Sequence, residues 1–179
     1  MTKVWRRRTC TAILGVWLGI APPVVGWQQH QREPLTQVEI DELRDAAQEP
    51  TARIKLFIEF ARTRLLSLEQ LRADPKVTDK PQQTHDKLQE FLDIYDELND
   101  NLDTFVQRKA DLRKPLKAVI EADNEFQAKL RALKSSAETG PESSVYQFVL
   151  DNAVDEVDGS VRDHGQLLAE EEAARRKKK

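Results

Sequence analysis

The sequence predicts an all-α protein, an elongated antiparallel helical bundle with coiled-coil-like heptad packing. Apolar residues recur at spacings of three and four through most of the chain, and no stretch alternates in the manner of a β-strand. One segment keeps a 3.5-residue apolar period over seven heptads, which indicates a seam packed against partner helices. The seam positions are Leu88, Phe91, Tyr95, Leu98, Leu102, Phe105, Lys109, Leu112, Leu116, Val119, Asp123, Phe126, Leu130, Leu133 and Ala137.

Residues 1–26 have the layout of a secretory signal peptide. A basic start with Lys3 and residues 6–8 precedes a short apolar run at residues 9–20, and Gly26 suits the position before a cleavage site. An uncleaved anchor is the alternative, although the run is barely long enough to span a bilayer and a proline pair interrupts it. The sequence therefore predicts a secreted or periplasmic protein.

Cleavage at this point leaves an acidic chain without cysteine. The one cysteine, Cys10, precedes the apolar run, so we expect no lipidation at this residue. Removing the four basic residues of the signal leaves 24 basic against 31 acidic residues, a net charge of −7. General nucleic-acid binding depends on Lys and Arg that neutralise phosphates, so we expect no nucleic-acid partner. Without disulfides, stability must come from packing.

The rest of the chain divides into a flexible leader at residues 27–35, a helical bundle domain at residues 36–175 and a basic tail at residues 176–179. The leader is polar and shows no apolar period. The domain begins with a short helix, because Thr36 followed by Glu39 forms a capping box.

Three longer helical segments follow this short helix. The second helix spans about residues 51–73, and a proline-containing loop follows it to residue 84. The last helix spans about residues 142–175, because Gly140 is a natural helix C-cap and Pro141 suits a first helical turn. The candidate core residues of the domain are Ile54, Phe57, Leu65, Leu88, Phe91, Tyr95, Leu98, Leu102, Phe105, Leu116, Phe126, Leu130, Tyr146 and Val157.

Pro115 lies inside the seam segment at residues 84–137 and allows two interpretations. In a helix interior a proline removes one backbone hydrogen bond and clashes with the preceding turn, so one long helix would kink near this residue. Alternatively the helix ends, and a new one begins with Asp111 as its N-cap, which gives a four-helix bundle. No Gly or Asn supplies a reversing loop nearby, so we favour the kinked helix.

Residues 91–105 carry four Asp and one Glu, which raises the question of a cation site. In the heptad register every acidic residue points away from the seam, whereas calcium and magnesium sites need oxygen ligands that converge on one point. We therefore interpret this stripe as a solvated flank rather than a cation or partner site.

Charge also segregates along the seam segment, because a basic group follows the acidic stretch. We expect the acidic half to lie near the basic residues of the second helix, and a dipolar surface for self-association or a charged partner is the alternative. The basic group comprises Arg108, Lys109, Arg113, Lys114 and Lys117, and the second helix carries Arg53, Lys55, Arg62 and Arg64.

The sequence supplies no catalytic, cofactor-binding or metal-binding residues that we can identify. The three histidines, His30, His85 and His164, have no second ligand at helical spacing, and we expect His164 to be a boundary residue. No nucleophile elbow, phosphate-binding glycine loop or zinc-binding H-E-x-x-H motif is present. We therefore predict that the protein is not an enzyme and holds no cofactor.

The resulting functional prediction is an exported, non-enzymatic helical-bundle protein that acts as a structural or protein-interaction module of the cell envelope. The alternative is a periplasmic chaperone or sensor-like binder of unfolded or apolar clients, with an open apolar groove. We expect a protein partner or self-association. In addition, the five consecutive basic residues 175–179 predict weak contact with an anionic membrane or envelope polymer.

Overall fold

The computed structural model describes residues 34–137 and 141–177, so the predicted signal peptide and leader residues 27–33 lie outside it. Over the described residues the chain forms helices and no strand, which confirms the all-α prediction, and no helix there is long and apolar enough to cross a membrane. The elements are α1 (Gln37–Asp45), α2 (Pro50–Ala73), α3 (Lys80–Gln107), α4 (Arg113–Ala137), a short 3₁₀ helix (Pro141–Val145) and α5 (Gln147–Arg176).

The predicted capping box begins α1. Thr36 Oγ1 accepts the Glu39 N–H at 3.3 Å, and the Glu39 carboxylate accepts the Thr36 N–H at 2.7 Å. The same carboxylate receives two hydrogen bonds of 2.7 Å from the buried Arg64 guanidinium of α2. Arg64 also donates to the Pro34 carbonyl at 2.9 Å, and Leu35 packs against the core. The end of the predicted leader thus contacts the bundle.

Helices α2 to α5 form a four-helix bundle. Helix α2 packs antiparallel to α3 and α4 packs antiparallel to α5, while α2 also lies beside α4 and α3 beside α5. The side-chain contacts that give these directions are Arg53–Asn101, Arg64–Glu90, Arg62–Glu125, Lys129–Glu69, Lys134–Asp151 and Lys117–Glu172.

Consecutive helices α3 and α4 meet through side chains across the centre of the bundle. The Phe126 ring makes edge-to-face contacts with Phe91 and Tyr95, at centroid distances of 5.5 and 6.2 Å. All predicted seam positions are buried except Lys109, which is exposed, and Leu133, which is half-buried. Every candidate core residue is buried as well, so the compact unit Glu33–Lys179 holds a complete hydrophobic core.

The favoured prediction of one kinked helix at Pro115 is wrong, because the chain reverses between Gln107 and Arg113. Lys109 adopts a left-handed φ of 56°. The Ala110 N–H then reaches the Phe105 carbonyl at 3.1 Å and the Lys109 N–H reaches the Val106 carbonyl at 2.9 Å, which is the Schellman pattern at a helix C-terminus. A lysine supplies the conformation for which we expected Gly or Asn.

Pro115 is tolerated because it lies in the first turn of α4, where backbone N–H groups lack helical acceptors. The first helical bond runs from the Leu116 N–H to the Leu112 carbonyl at 2.8 Å. Asp111 accepts the Arg113 N–H at 3.3 Å and so satisfies one free donor. The four-helix alternative, with Asp111 at the start of the new helix, is therefore the observed one.

The left-handed lysine generates a prediction about stability. Replacing Lys109 by Gly removes the steric cost of a positive φ, so we expect Lys109→Gly to raise the free energy of unfolding by about 0.5–1 kcal/mol. Urea denaturation measures the change. The exposed Lys114, in the first turn of α4, provides the control: Lys114→Gly should leave stability unchanged or lower it. A destabilised Lys109→Gly variant would contradict the reversal at this residue.

Candidate functional site

A hydrogen-bonded network of polar side chains lies in the core and joins three helices. The Tyr95 hydroxyl of α3 donates to Asp123 Oδ1 of α4 at 2.6 Å, and His164 Nδ1 of α5 lies 2.8 Å from Asp123 Oδ2. Tyr95 and Asp123 are fully buried, and His164 is 7% exposed. At the edge of this group, Asn99 of α3 approaches the buried Ser160 hydroxyl of α5 at 3.5 Å.

The positions of the side chains indicate which atoms of the network carry hydrogens. Burial raises the pKa of Tyr95, and the adjacent Asp123 carboxylate raises it further, so the phenol stays protonated and donates. His164 Nδ1 also faces a carboxylate oxygen, so with Asp123 ionised this nitrogen must carry the hydrogen. Both oxygens of Asp123 are therefore occupied by donors from the protein itself. A buried carboxylate needs such partners to avoid a large desolvation cost.

This network is suited to fixing helix positions rather than to catalysis. A general acid or base must reach the proton of a substrate, and a fully buried carboxylate between two side-chain donors has no such access. Of the sequence predictions, Tyr95 lies in the core as expected, whereas His164 is buried and paired rather than a boundary residue. Asp123, a charge within an apolar stripe, was the signal from which the pairing could have been found.

The acidic stripe at residues 91–105 faces solvent, as its heptad positions predict. Asp96, Glu97, Asp100 and Asp103 are exposed. Partial burial and the neighbouring carboxylates, Glu156 first among them, raise the pKa of Asp96. Throughout the described part of the chain, no group of three or more His, Cys, Asp or Glu residues could hold a metal ion.

The expected pairing of this acidic half with the basic residues of α2 occurs at one ion pair. Arg64 Nε lies 3.9 Å from Glu90, but its main partner is Glu39 of α1. Arg62 instead pairs with Glu125 of α4 at 2.9 Å. The basic side chains of α2 therefore form their shorter ion pairs with α1 and α4, and the ion pair with α3 is longer.

An open groove runs between α2 and α4 and encloses about 480 Å³. It exists because α4 presents the small side chains of Ala128 and Ala132 to α2, which leaves space that larger residues would fill. The Glu69–Lys129 ion pair, at 2.6 Å, joins the two helices beside it. The apolar lining consists of Leu65, Leu68, Ala128, Leu130, Ala132 and Leu133.

Arg72 closes one end of this groove and connects it to a smaller recess of about 220 Å³. Its guanidinium stacks over the Tyr146 ring at 5.5 Å and donates to the Tyr146 hydroxyl at 3.3 Å. Lys80 lines the recess and donates to the Arg72 carbonyl at 3.1 Å. Neither cation has a carboxylate within ion-pair distance among residues 34–137 and 141–177. The groove therefore combines an apolar lining with an end at which two cations and the Glu142 side chain lie around the recess.

Large apolar side chains are also exposed outside the groove. Phe148 at the start of α5 is 78% exposed, Val38 is 67% exposed, and Leu66 and Val145 are each about half exposed. Single exposed apolar residues are common on soluble proteins, so we assign no site to them individually.

Comparison with protein-family models, with curated proteins and with solved structures finds no match to this chain.

The buried network generates a prediction about stability. Asp123→Ala leaves the Tyr95 hydroxyl and His164 without their acceptor, so we expect the free energy of unfolding to fall by about 3 kcal/mol or more. Tyr95→Phe removes one hydrogen bond only and should cost about 1 kcal/mol. The control is Asp100→Ala, an exposed position on α3, which should change stability by less than about 0.5 kcal/mol. Equal effects of Asp123→Ala and Asp100→Ala in urea denaturation would show that the network does not stabilise the bundle.

Proposed function

We propose that this is an exported, non-enzymatic helical-bundle protein of the cell envelope, and that it acts by binding a protein partner in the groove between α2 and α4. The observation that carries the proposal is the groove itself, an apolar concavity of about 480 Å³ lined mainly by Leu and Ala. A volume of this size falls within the range of binding sites. Export is supported by the basic and apolar layout of residues 1–26.

The chemistry of the core supports a binding role over a catalytic one. The strongly buried ionisable groups Tyr95, Asp123 and His164 bond to one another inside the bundle, where a substrate has no access. The groove in turn is lined mainly by Leu and Ala. An apolar surface whose acidic side chain, Glu69, is already paired with Lys129 suits recognition.

The shape of the groove favours the apolar face of a partner helix. Its α2 side extends from Leu65 to Arg72, which is about two helical turns. Ala128 and Ala132 on the α4 side allow a partner backbone to approach closely. Recognition of an amphipathic helix commonly uses a groove of this kind, with apolar anchors at helical spacing and charged residues along the rim.

A second candidate is a chaperone-like binder of unfolded or apolar clients. The 78% exposure of Phe148, close to the half-exposed Val145, favours this alternative, because clients of this type bind exposed apolar side chains. This candidate predicts that Phe148→Ser reduces suppression of aggregation of an unfolded model protein. The groove proposal predicts no effect of that variant.

The groove is tested with an apolar fluorescent dye, anilinonaphthalene sulfonate, titrated into the folded chain from Glu33 onward. We expect saturable binding to the native protein, and we expect Ala132→Glu to weaken it at least tenfold, because the new side chain takes up space in the groove and places a charge beside its apolar lining. The matched control is Ala169→Glu, an exposed alanine on α5 that does not line the groove. This variant should bind the dye as the native chain does.

Two results would contradict the groove proposal: absence of dye binding by the native chain, or binding that Ala132→Glu and Ala169→Glu change equally. Dye binding that depends on Phe148 and not on Ala132 would instead support the chaperone-like candidate.

A further inference from the structure

Basic residues from two distant parts of the sequence meet at one end of the bundle. The turn between α3 and α4 lies beside the C-terminal part of α5, because Asp111 accepts from Arg113 Nε at 2.8 Å and from Arg175 Nη1 at 3.0 Å. Farther along α4, Lys117 pairs with Glu172 of α5 at 3.4 Å. We call this surface the basic tip: it comprises Arg108, Lys109, Arg113, Lys114, Lys117, Arg175, Arg176 and Lys177.

Most of these cations are not neutralised within the described part of the chain. Five of them are exposed and have no carboxylate within ion-pair distance there: Arg108, Lys109, Lys114, Arg176 and Lys177. Asp111, Glu171 and Glu172 line the surface pockets between these cations. The Arg113 guanidinium bonded to Asp111, together with the charge of Arg175, holds the pKa of that carboxyl well below its usual range. The surroundings of Asp111 are therefore strongly positive.

Folding alone does not account for the position of these charges. The N-terminus of a helix carries partial positive charge and favours acidic residues, yet the first turn of α4 contains Arg113 and Lys114 and no acidic residue. Basic residues at the end of α5 suit its dipole, but the pair on α4 opposes the dipole there. Local arrangements that oppose stability are expected at functional surfaces.

We infer that the basic tip docks on the surface of a bilayer that carries anionic lipids. Its charges are spread over one end of the bundle, so a flat anionic surface can contact both the α3–α4 turn and the end of α5. Each Lys or Arg near such a surface strengthens binding about fivefold. Single-stranded nucleic acid is a poorer fit, because the basic tip contains no aromatic side chain for base stacking.

The inference is tested by co-sedimentation of the chain from Glu33 onward, which holds the complete core, with lipid vesicles. We expect binding to vesicles with roughly one-third phosphatidylglycerol, little binding to phosphatidylcholine alone, and strong weakening when salt rises from about 0.05 to about 0.5 M. The double variant Arg108→Glu, Lys114→Glu should bind the anionic vesicles at least tenfold more weakly. Both positions are exposed and outside the core, so the variant retains the fold.

The matched control makes the same charge change near the opposite end of the bundle, at the exposed residues Lys76, in the α2–α3 loop, and Arg131, in the C-terminal half of α4. Lys76→Glu, Arg131→Glu should lose much less binding than the tip variant. Equal losses in the two variants would overturn the inference, since they would show that net charge alone controls binding. Equal binding to anionic and neutral vesicles would overturn it too. The chain could also bind a soluble polyanion such as heparin and fail to bind anionic vesicles. That result would overturn the bilayer inference and indicate an anionic polymer as the partner.

Discussion

The structure depends on one apolar stripe that is folded back on itself. The residues at 3.5-residue spacing from Leu88 to Ala137 supply the inner faces of both α3 and α4, and the left-handed turn at Lys109 brings the two halves together. Because the reversal lies within the stripe, Phe91 and Tyr95 of one half meet Phe126 of the other. Helices α2 and α5 then cover this central pair, and the 0% exposure of Ile54 and Val157 shows how completely they do so.

A single buried carboxylate connects helix α5 to that stripe. Asp123 accepts from Tyr95 across the centre and from His164 on α5, so three helices share one set of hydrogen bonds. Displacing any of the three helices by one turn would remove at least one of the two partners of this buried carboxylate, which is more costly than a shift of apolar contacts. Because Tyr95, Asp123 and His164 bond within the core, recognition falls to the exterior of the bundle. That exterior offers an apolar groove on one side and a basic tip at one end.

The sequence predicted what depends on periodicity and missed what depends on single backbone or side-chain contacts. The capping box at Thr36, the buried stripe and the outward acidic flank follow from local spacing, and the structure confirms them. The reversal was not predicted, because propensity assigns a left-handed turn to Gly or Asn, whereas here the Schellman bonds and core packing hold a lysine in that conformation. The Asp123–His164 contact joins residues 41 positions apart on different helices, so the apolar spacing marks Asp123 as unusual but does not say which residue it meets. The groove likewise depends on which helices become neighbours.

The distance between the start of α3 and the end of α4 tests the folded-back stripe most directly. The chain from Glu33 onward has no cysteine, so spin labels at Gln82→Cys and Ser135→Cys, both exposed positions, report this distance by pulsed electron resonance. Reversal at Lys109 places the two labels at the same end of the bundle, and we expect a distance of no more than about 30 Å, the width of a few packed helices. An unbroken helix would separate them by about 80 Å, and a distance near that value would contradict the account.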